Sequence, residues 1–186
     1  MDESLAPFNG RVGFKQYLSL KPTKWGIKFW VITDSCIGFC LDWSVYTGKN
    51  EQQPRDGDGL TTRVVKNLLC AFNGSGRTVY TDSFYTSPDL YEYLRDQKLG
   101  ACGTLRLNRK GLPPTTREAS LQAQKGDDPA FFRKDDMLGI TWHDTKRVSV
   151  LSTVHGSGTV DKTIRDKRSA TGTRQVKKPK AVKGYN

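Results

Sequence analysis

The feature of this sequence that most constrains its fold is a change of hydrophobic period between residues 60 and 105. Four apolar residues recur at every fourth position, which predicts a helix with one buried stripe: Leu60, Val64, Leu68 and Phe72. The β-branched and aromatic run Thr78–Thr81 then predicts a short strand. A second helix from about residue 88 and a strand over residues 101–105 follow. Helix, strand, helix, strand is typical of an α/β unit.

The second helix begins with residues that commonly start one. Ser87 is a good N-cap, Pro88 suits the first helical position, and Asp89 favours the positive end of the helix dipole. We interpret Gly100 as the residue that closes this helix. Two β-hairpins are also predicted. One joins residues 27–33 to residues 38–46, and the other joins residues 137–142 to residues 147–153.

The charge of the chain favours an acidic partner. Lys and Arg number 30 against 19 Asp and Glu, which gives a net charge of +11 and a pI near 9.6. Such a balance is expected of a nucleic-acid-binding protein, and a basic surface kept for solubility is the alternative. Hydrophobic residues make up 35% and the mean hydropathy is -0.61, so we expect part of the chain to be solvated loop or tail.

Four cysteines are present: Cys36, Cys40, Cys70 and Cys102. None forms a Cys-x-x-Cys pair, and His143 and His155 are remote from them, so we expect buried free thiols rather than a zinc site. No run approaches about 18 apolar residues and no signal peptide is recognisable. We therefore expect a chain that does not enter a membrane and that occupies a reducing, intracellular setting.

Three segments carry residues that indicate chemistry: residues 1–11, residues 79–87 and residues 103–113. In the second, Asp82 directly follows a predicted strand of the α/β unit. Ligand sites of open α/β sheets lie beyond the carboxyl ends of strands, so Asp82 is a candidate ligand or catalytic acid. The alternative is that Asp82 only turns the chain before the next helix.

Together these segments resemble the piggyBac transposase family. The first opens with Asp2-Glu3 and continues to Pro7-Phe8 and Gly10-Arg11. A further family motif is matched by the following residues: Phe14, Tyr17, Lys21, Pro22, Lys24, Gly26 and Lys28. The family's Tyr-x-Gly, Asp-x-Phe-x-Thr-Ser and Gly-Thr-x-Arg-x-Asn-Arg motifs begin at Tyr46, Asp82 and Gly103. Order and spacing agree over residues 2–114.

The resemblance implies an RNase H-like DDE(D) fold that cleaves and joins DNA by in-line phosphoryl transfer. Two Mg²⁺ or Mn²⁺ ions would be held by three acids, and Asp2 and Asp82 match the first two as catalytic residues and metal ligands. The family's third acid follows a Tyr-Asn pair like Tyr185-Asn186, and no third catalytic acid is matched here. Four other aspartates are not on an evident helix after a core strand: Asp135, Asp136, Asp144 and Asp161.

The resemblance also divides the chain. Residues 1–108 match a partial RNase H-like core, and we expect it to be incomplete because the central strand that leads into the first acid and the helix of the third acid are missing. Residues 109–175 correspond to an insertion domain. Residues 176–186 are either the start of the returning core segment or a basic tail. From Asp161 onward the chain is basic, which is typical of a solvated tail or an interaction arm.

Two basic groups are candidate DNA contacts. On the resemblance, Arg106, Arg109 and Lys110 would bind phosphates, although a solvated loop is the alternative. Lys177, Lys178 and Lys180 would form a phosphate-binding arm or a nuclear import signal, or a plain solvated tail. We interpret three tryptophans as core residues rather than base-stacking groups: Trp25, Trp30 and Trp43.

Two functional hypotheses follow from the resemblance. The first is a fragment of a DNA transposase that is inactive as these 186 residues because the third acid is absent. The second is a domesticated, non-catalytic DNA-binding protein derived from a transposable element. A third hypothesis, a basic α/β domain unrelated to DNA, is disfavoured by the order of the motifs. The expected partner is DNA, with a homodimer in the full-length family, and the expected location is the nucleus.

Overall fold

The computed structural model describes residues 1–19, 21–48, 58–143, 145–165 and 172–185. Most of the segment between the first predicted hairpin and the first predicted helix lies outside the described residues, as do Asp144 and Asn186. The chain divides into two compact units, residues 1–72 and residues 73–186. The domain boundaries expected at residues 108 and 175 stay predictions.

The first unit contains a four-stranded antiparallel sheet. Its strands are β1 (Asp2–Pro7), β2 (Gln16–Tyr17), β3 (Trp25–Thr33) and β4 (Cys40–Val45). The long strand β3 pairs with each of the other three. The predicted first hairpin is confirmed as β3 and β4. Its turn is closed by Asp34, whose Oδ1 accepts hydrogen bonds from the amides of Cys36 and Ile37 at 2.8 and 3.2 Å.

One face of this sheet and the first helix contain the buried residues of the unit. Trp30 and Ile32 on β3 are 1% and 6% exposed. Helix α1 (Leu60–Leu69) continues as a 3-10 turn at Cys70–Phe72, as the four-residue spacing predicts. Its buried residues are Val64, Val65, Leu68 and Leu69. The interpretation of the tryptophans is right for Trp30 and wrong for Trp25 and Trp43, which are 51% and 56% exposed.

The second unit is built on a five-stranded sheet in the order β5-β6-β9-β8-β7. The strands are β5 (Thr78–Thr81), β6 (Gly100–Thr104), β7 (Ala130–Lys134), β8 (Met137–His143) and β9 (Arg147–Ser152). The predicted strands at 78–81 and 101–105 are confirmed as parallel neighbours in this sheet. The second predicted hairpin is confirmed as β8 and β9.

Helix α2 (Pro88–Asp96) connects β5 to β6 and begins as predicted. The side chain of Ser87 accepts a hydrogen bond from the amide of Leu90 at 3.4 Å. The helix does not close at Gly100. Lys98 instead takes the left-handed conformation, with a φ of 58°, and its amide donates to the carbonyl of Arg95. Gly100 is the first residue of β6, where a Cβ would lie 2.3 Å from Val154 Cγ1.

The basic C-terminal segment is folded where the structure describes it. Strands β10 (Thr159–Arg165) and β11 (Thr173–Pro179) form an antiparallel hairpin, and helix α4 (Lys180–Tyr185) follows. Ala181 and Val182 of α4 are buried in a hydrophobic cluster completed by residues of β6, β8 and β9: Cys102, Leu138, Ile140, Trp142 and Val150. Because β10, β11 and α4 are folded and α4 is packed, a plain solvated tail does not describe the basic C-terminal segment.

Helix α3 (Pro114–Gln122) lies between β6 and β7 in sequence.

The cysteines are free, as expected, but only one is buried. Cys36, Cys40 and Cys70 are exposed, and Cys102 is fully buried. The expectation of burial is wrong for the first three. Cys36 lies in the turn before β4, Cys40 lies on the edge strand β4, and Cys70 lies at the end of α1. Among the described residues, no helix combines the length and the apolar character that crossing a membrane would require.

Candidate functional site

The candidate site lies in the second unit, where β5 and β6 end side by side. The two strands are parallel, with Thr81 opposite Gly103, so the residues that follow them emerge at one edge of the sheet. Asp82 comes directly after β5, and Leu105 and Arg106 come directly after β6. Asp82 and Arg106, two of the residues that the sequence singles out, are thus placed at this edge.

Asp82 turns the chain after β5 and keeps one carboxylate oxygen without a hydrogen bond from the described residues. Its Oδ1 accepts a hydrogen bond from the amide of Phe84 at 3.0 Å, and its carbonyl accepts from the amides of Tyr85 and Thr86 at 3.2 and 3.1 Å. Asp82 therefore turns the chain toward α2. Its Oδ2 receives no hydrogen bond from the described residues, so this half-buried carboxylate keeps an oxygen for a ligand.

Three buried hydroxyl groups hold the turn in place. Thr81 Oγ1 lies 2.8 Å from Thr86 Oγ1 and 2.8 Å from the hydroxyl of Tyr91, and Thr86 Oγ1 donates to the carbonyl of Asp82 at 2.9 Å. All three residues are at most 1% exposed, and burial raises the pKa of Tyr91. Buried hydroxyl groups that form hydrogen bonds with one another fix a local structure, so the backbone of Asp82 is held in place from its buried side.

Gly103 is required because two of these hydroxyl groups lie close to it. A Cβ at this position would lie 2.3 Å from the carbonyl oxygen of Thr81 and 2.5 Å from each of Thr81 Oγ1 and Thr86 Oγ1. Only glycine lets β6 approach the end of β5 so closely. Thr86 and Gly103 belong to two separate sequence motifs, and sequence reasoning missed that they meet. Their shared role is to shape the turn beside Asp82.

Two arginines are held next to Asp82. Arg109 donates through Nη2 to the carbonyls of Ser83, at 3.1 Å, and of Phe84. The Nε of Arg106 donates to Ser83 Oγ at 3.4 Å, and the Arg106 side chain is exposed. Burial and then the like charge of Arg106 lower the pKa of Arg109, while the carboxylate of Asp82 raises it. Arginine stays charged at neutral pH, so the edge carries two cations beside one carboxylate.

These contacts give the two arginines different parts. Arg109 is half-buried and uses its guanidinium to fix the turn after Asp82, so its own charge is only partly available to a ligand. Arg106 is the exposed cation of the pair. Lys110 is also exposed and immediately precedes Gly111, which has a φ of 81°. Arg106 and Lys110 therefore present the accessible charge of this edge.

The second predicted basic group has an uneven arrangement. Lys177 is exposed and lies 3.4 Å from Asp128 Oδ2, and Lys180 is exposed at the start of α4. Lys178 is only 8% exposed. Neighbouring residues of β11 point to opposite faces of the hairpin, which explains why Lys177 is exposed and Lys178 is not.

Asp2 lies in the first unit, whereas Asp82 lies in the second. Asp2 is the first residue of β1, opposite Val31 of β3, and its Oδ1 accepts a hydrogen bond from the amide of Glu3 at 2.7 Å. Its side chain is exposed. The expectation that Asp2 and Asp82 share a divalent ion stays a prediction.

Carboxylate oxygens are the ligands that Mg²⁺ prefers, and the open Oδ2 of Asp82 fits one position in such a site. Within the described ranges, no three or more His, Cys, Asp or Glu side chains form a group that could hold a metal ion. Asp135 and Asp136 form the β7–β8 turn and Asp161 lies on β10, so none of these three follows β5 or β6.

Comparison with known proteins identifies the class of this chain. A family model described as Transposase IS4 matches residues 1–186. Human PiggyBac transposable element-derived protein 3 is 28% identical over 191 residues, covering 100% of this chain and 32% of that protein. Human PiggyBac transposable element-derived protein 2 is 27% identical over 188 residues, covering 98% of this chain and 32% of that protein.

A solved structure gives the same result. The cryo-EM structure of a piggyBac transposase synaptic complex with hairpin DNA matches 100% of this chain and 36% of its own chain, with 28% identity and a TM-score of 0.78. The described chain therefore spans about a third of the length of these relatives. The mixed α/β fold is that of the matching part of a piggyBac transposase.

The class defined by these matches is that of the DDE transposases, a family that typically uses a divalent metal. More narrowly, the chain belongs to the piggyBac transposase family, as its motifs over residues 2–114 led us to expect.

Proposed function

We propose that this chain is the DNA-handling part of an RNase H-like, piggyBac-type transposase catalytic domain. The observation that carries the proposal is the edge at which β5 and β6 end. There, an anchored carboxylate with a free oxygen stands beside Arg106 and the guanidinium of Arg109. A carboxylate that can hold a cation and side chains that can hold phosphate are the groups that phosphoryl transfer requires.

Asp82 and Asp2 are the residues that would hold the divalent ion. When bound, such an ion polarises the phosphodiester and stabilises the attacking and leaving oxygens. The protein's own contribution is to fix the position of Asp82. The Thr81, Thr86 and Tyr91 hydroxyl groups hold the turn from the buried side, and Arg109 holds it through two carbonyls. Positioning of this kind matters because a displacement of about 1 Å can cost roughly 10²-fold in rate.

The accessible cations would position DNA through its phosphates. Arg106 and Lys110 serve this purpose beside Asp82, and Lys177 and Lys180 serve it on β11 and α4. The burial of Lys178 supports a structural role for that side chain instead. Phosphate contacts fix the register of the duplex and carry no sequence information directly. We include a nuclear location and, in the full-length protein, a homodimer in the same proposal.

The 186-residue polypeptide by itself would not cleave DNA. The proposal is supported by the motif match, in which two acids of a three-acid set find counterparts. The alternative function, a domesticated DNA-binding protein without catalysis, shares the basic edge and differs in the metal. If the alternative holds, Asp82 serves only to turn the chain and does not bind a divalent ion.

The test combines cleavage with metal binding. A nicking assay on hairpin and linear DNA with Mg²⁺ or Mn²⁺ is expected to give no product, with Asp82→Ala as the control. Cleavage that is lost in Asp82→Ala would contradict the proposed inactivity. In parallel, Mn²⁺ at roughly millimolar concentration is expected to broaden the amide NMR signals next to Asp82 in the unaltered chain and not in Asp82→Asn. Equal broadening in both would favour the non-catalytic alternative.

A further inference from the structure

A second candidate ligand surface lies in the first unit, where β2 meets the start of β3. Tyr17 is directly opposite Trp25 in this antiparallel pair, and the centroids of their rings are 4.9 Å apart with an angle of 51° between the planes. Each of the two side chains is 51% exposed. We call Tyr17 and Trp25 the aromatic pair. Two large rings in contact with each other and half open to solvent are not explained by core packing.

The backbone beneath the aromatic pair is fixed on both sides. The carbonyl of Trp25 accepts a hydrogen bond from the amide of Phe8, and the amide of Leu18 donates to the carbonyl of Lys24 at 2.8 Å. The next residue, Gly26, is buried, and a Cβ there would lie 2.2 Å from the carbonyl oxygen of Ala6. The close approach of β1 therefore holds Trp25 in place, and a ligand would meet a preorganised surface.

The segment that carries the aromatic pair contains cations and no acidic residue. Between Glu3 and Asp34 the sequence contains no acidic residue and five cations: Arg11, Lys15, Lys21, Lys24 and Lys28. Lys28 is paired with Glu3 at 3.0 Å. The other four form no ion pair with the described residues, and Lys15 Nζ lies 5.3 Å from the ring centroid of Trp25. No described ion pair balances their charge, which favours an anionic ligand.

The combination selects a class of ligand. Aromatic faces bind the flat faces of bases, and flanking lysines neutralise the phosphates between them. In a duplex the base faces are covered by neighbouring pairs, whereas unpaired nucleotides present them. A purely apolar protein partner would gain nothing from four uncompensated cations. We propose that the aromatic pair, with Lys15, Lys21 and Lys24, is a stacking site for unpaired nucleotides of single-stranded DNA.

This site lies in the first unit and contains none of the residues that form the edge at Asp82. The chain offers a matched control, because Trp43 is 56% exposed and also contacts another ring, that of Phe29 at 5.5 Å. Trp43 differs in its surroundings, since it follows Asp42 on β4 and no lysine lies over its ring in the described structure. Exposure and aromatic contact are therefore shared by the two tryptophans, and only Trp25 has the flanking cations.

The experiment measures binding of an oligothymidylate of about 16 nucleotides and of an abasic strand of the same length, by fluorescence anisotropy at fixed salt. Trp25→Ala is expected to weaken oligothymidylate binding roughly tenfold, because stacking on one aromatic ring contributes that order of affinity. Binding of the abasic strand should be unchanged, because it has phosphates and no bases. Trp25→Phe should restore most of the affinity, and Trp43→Ala should leave both ligands unaffected.

Several results would overturn the inference. These are an unchanged affinity in Trp25→Ala, an equal loss for the abasic strand, or an equal loss in Trp43→Ala. A dimer that dissociates in Trp25→Ala, seen by analytical ultracentrifugation, would show that a second copy covers the aromatic pair instead. Duplex binding by Arg106→Gln is measured alongside. A change there without a Trp25 effect overturns this inference alone, and the reverse outcome overturns only the proposed function of the Asp82 edge.

Discussion

Replacing Gly103 with alanine would place a methyl group at the closest approach of β5 and β6. The new Cβ would lie 2.3 Å from the carbonyl oxygen of Thr81, a backbone atom that cannot rotate away. It would also lie 2.5 Å from two of the three hydroxyl oxygens that anchor the turn after Asp82. To accommodate it, the two strands have to separate and the hydroxyl contacts have to lengthen.

The magnitude follows from these contacts. Overpacking a well-packed core typically costs about 1–3 kcal/mol, and a clash with backbone belongs at the upper end of that range. Loosened hydrogen bonds among buried hydroxyl groups add to the cost. We therefore expect Gly103→Ala to lower the free energy of unfolding by ~3 kcal/mol. For a chain of this length, that corresponds to a Tm roughly 6–12 °C lower.

The matched control is Gly139→Ala in the same sheet. Gly139 is a buried glycine of β8. A Cβ there would lie 3.7 Å from the Cβ and from the carbonyl oxygen of Phe132, which is an ordinary van der Waals distance. This variant is expected to stay within about 0.5 kcal/mol of the unaltered chain, or to gain slightly from the loss of glycine entropy. Thermal unfolding followed by circular dichroism measures both. Equal Tm values for the two variants would refute the close approach that we describe at Gly103.

Two further predictions concern buried groups. Three cysteines should react with a thiol reagent in the native chain and the fourth, Cys102, only after denaturation, because burial raises the pKa of Cys102 to about 11; rapid native reaction of all four would contradict this. Burial lowers the pKa of His155, whose Nδ1 lies 2.8 Å from Ser152 Oγ. The unfolded chain then binds more protons below a pH of about 6.5, so stability should be complete above that pH and fall as pH falls toward the folded pKa. The urea midpoint should show this slope, and His155→Gln should flatten it; an identical slope in the variant would assign the effect elsewhere.

Local patterns in the sequence predict the elements of this fold because they follow from periodicity and caps. The four-residue spacing from Leu60 places α1, and Ser87 with Pro88 places the start of α2. The end of α2 could not be predicted in the same way. Gly100 is needed in β6 because Val154 and Thr78 crowd it, and these contacts come from distant parts of the chain. A glycine required by tertiary packing resembles one that closes a helix.

The exposure of aromatic residues was predictable only in part. Trp30 faces the buried side of β3, whereas Trp25 lies at the end of the strand, where only the two-residue strand β2 pairs beside it. Amphipathic alternation does not reveal how far a sheet face is covered. The position of the candidate acid could be predicted, since Asp82 follows a strand of an α/β unit. The link from Thr86 to Gly103 could not, because it depends on the parallel pairing of β5 with β6.

The measurement that tests the central claim most directly is the salt dependence of duplex DNA binding in a metal-free buffer. If the edge beside Asp82 faces DNA, Arg106→Gln should reduce the slope of log K against log salt by about 1. Asp82→Asn should strengthen binding, because it removes a negative charge beside the phosphates.

The control is Arg95→Gln on α2, whose guanidinium is paired with Asp96 at 3.3 Å and Asp136 at 3.7 Å, and it should leave the curve unchanged. The account predicts three distinct results. Arg106→Gln has a smaller slope, Asp82→Asn has a higher affinity, and Arg95→Gln is the same as the unaltered chain. If Arg106→Gln and Asp82→Asn both coincide with the unaltered chain, the end of β5 and β6 is not a DNA-binding edge.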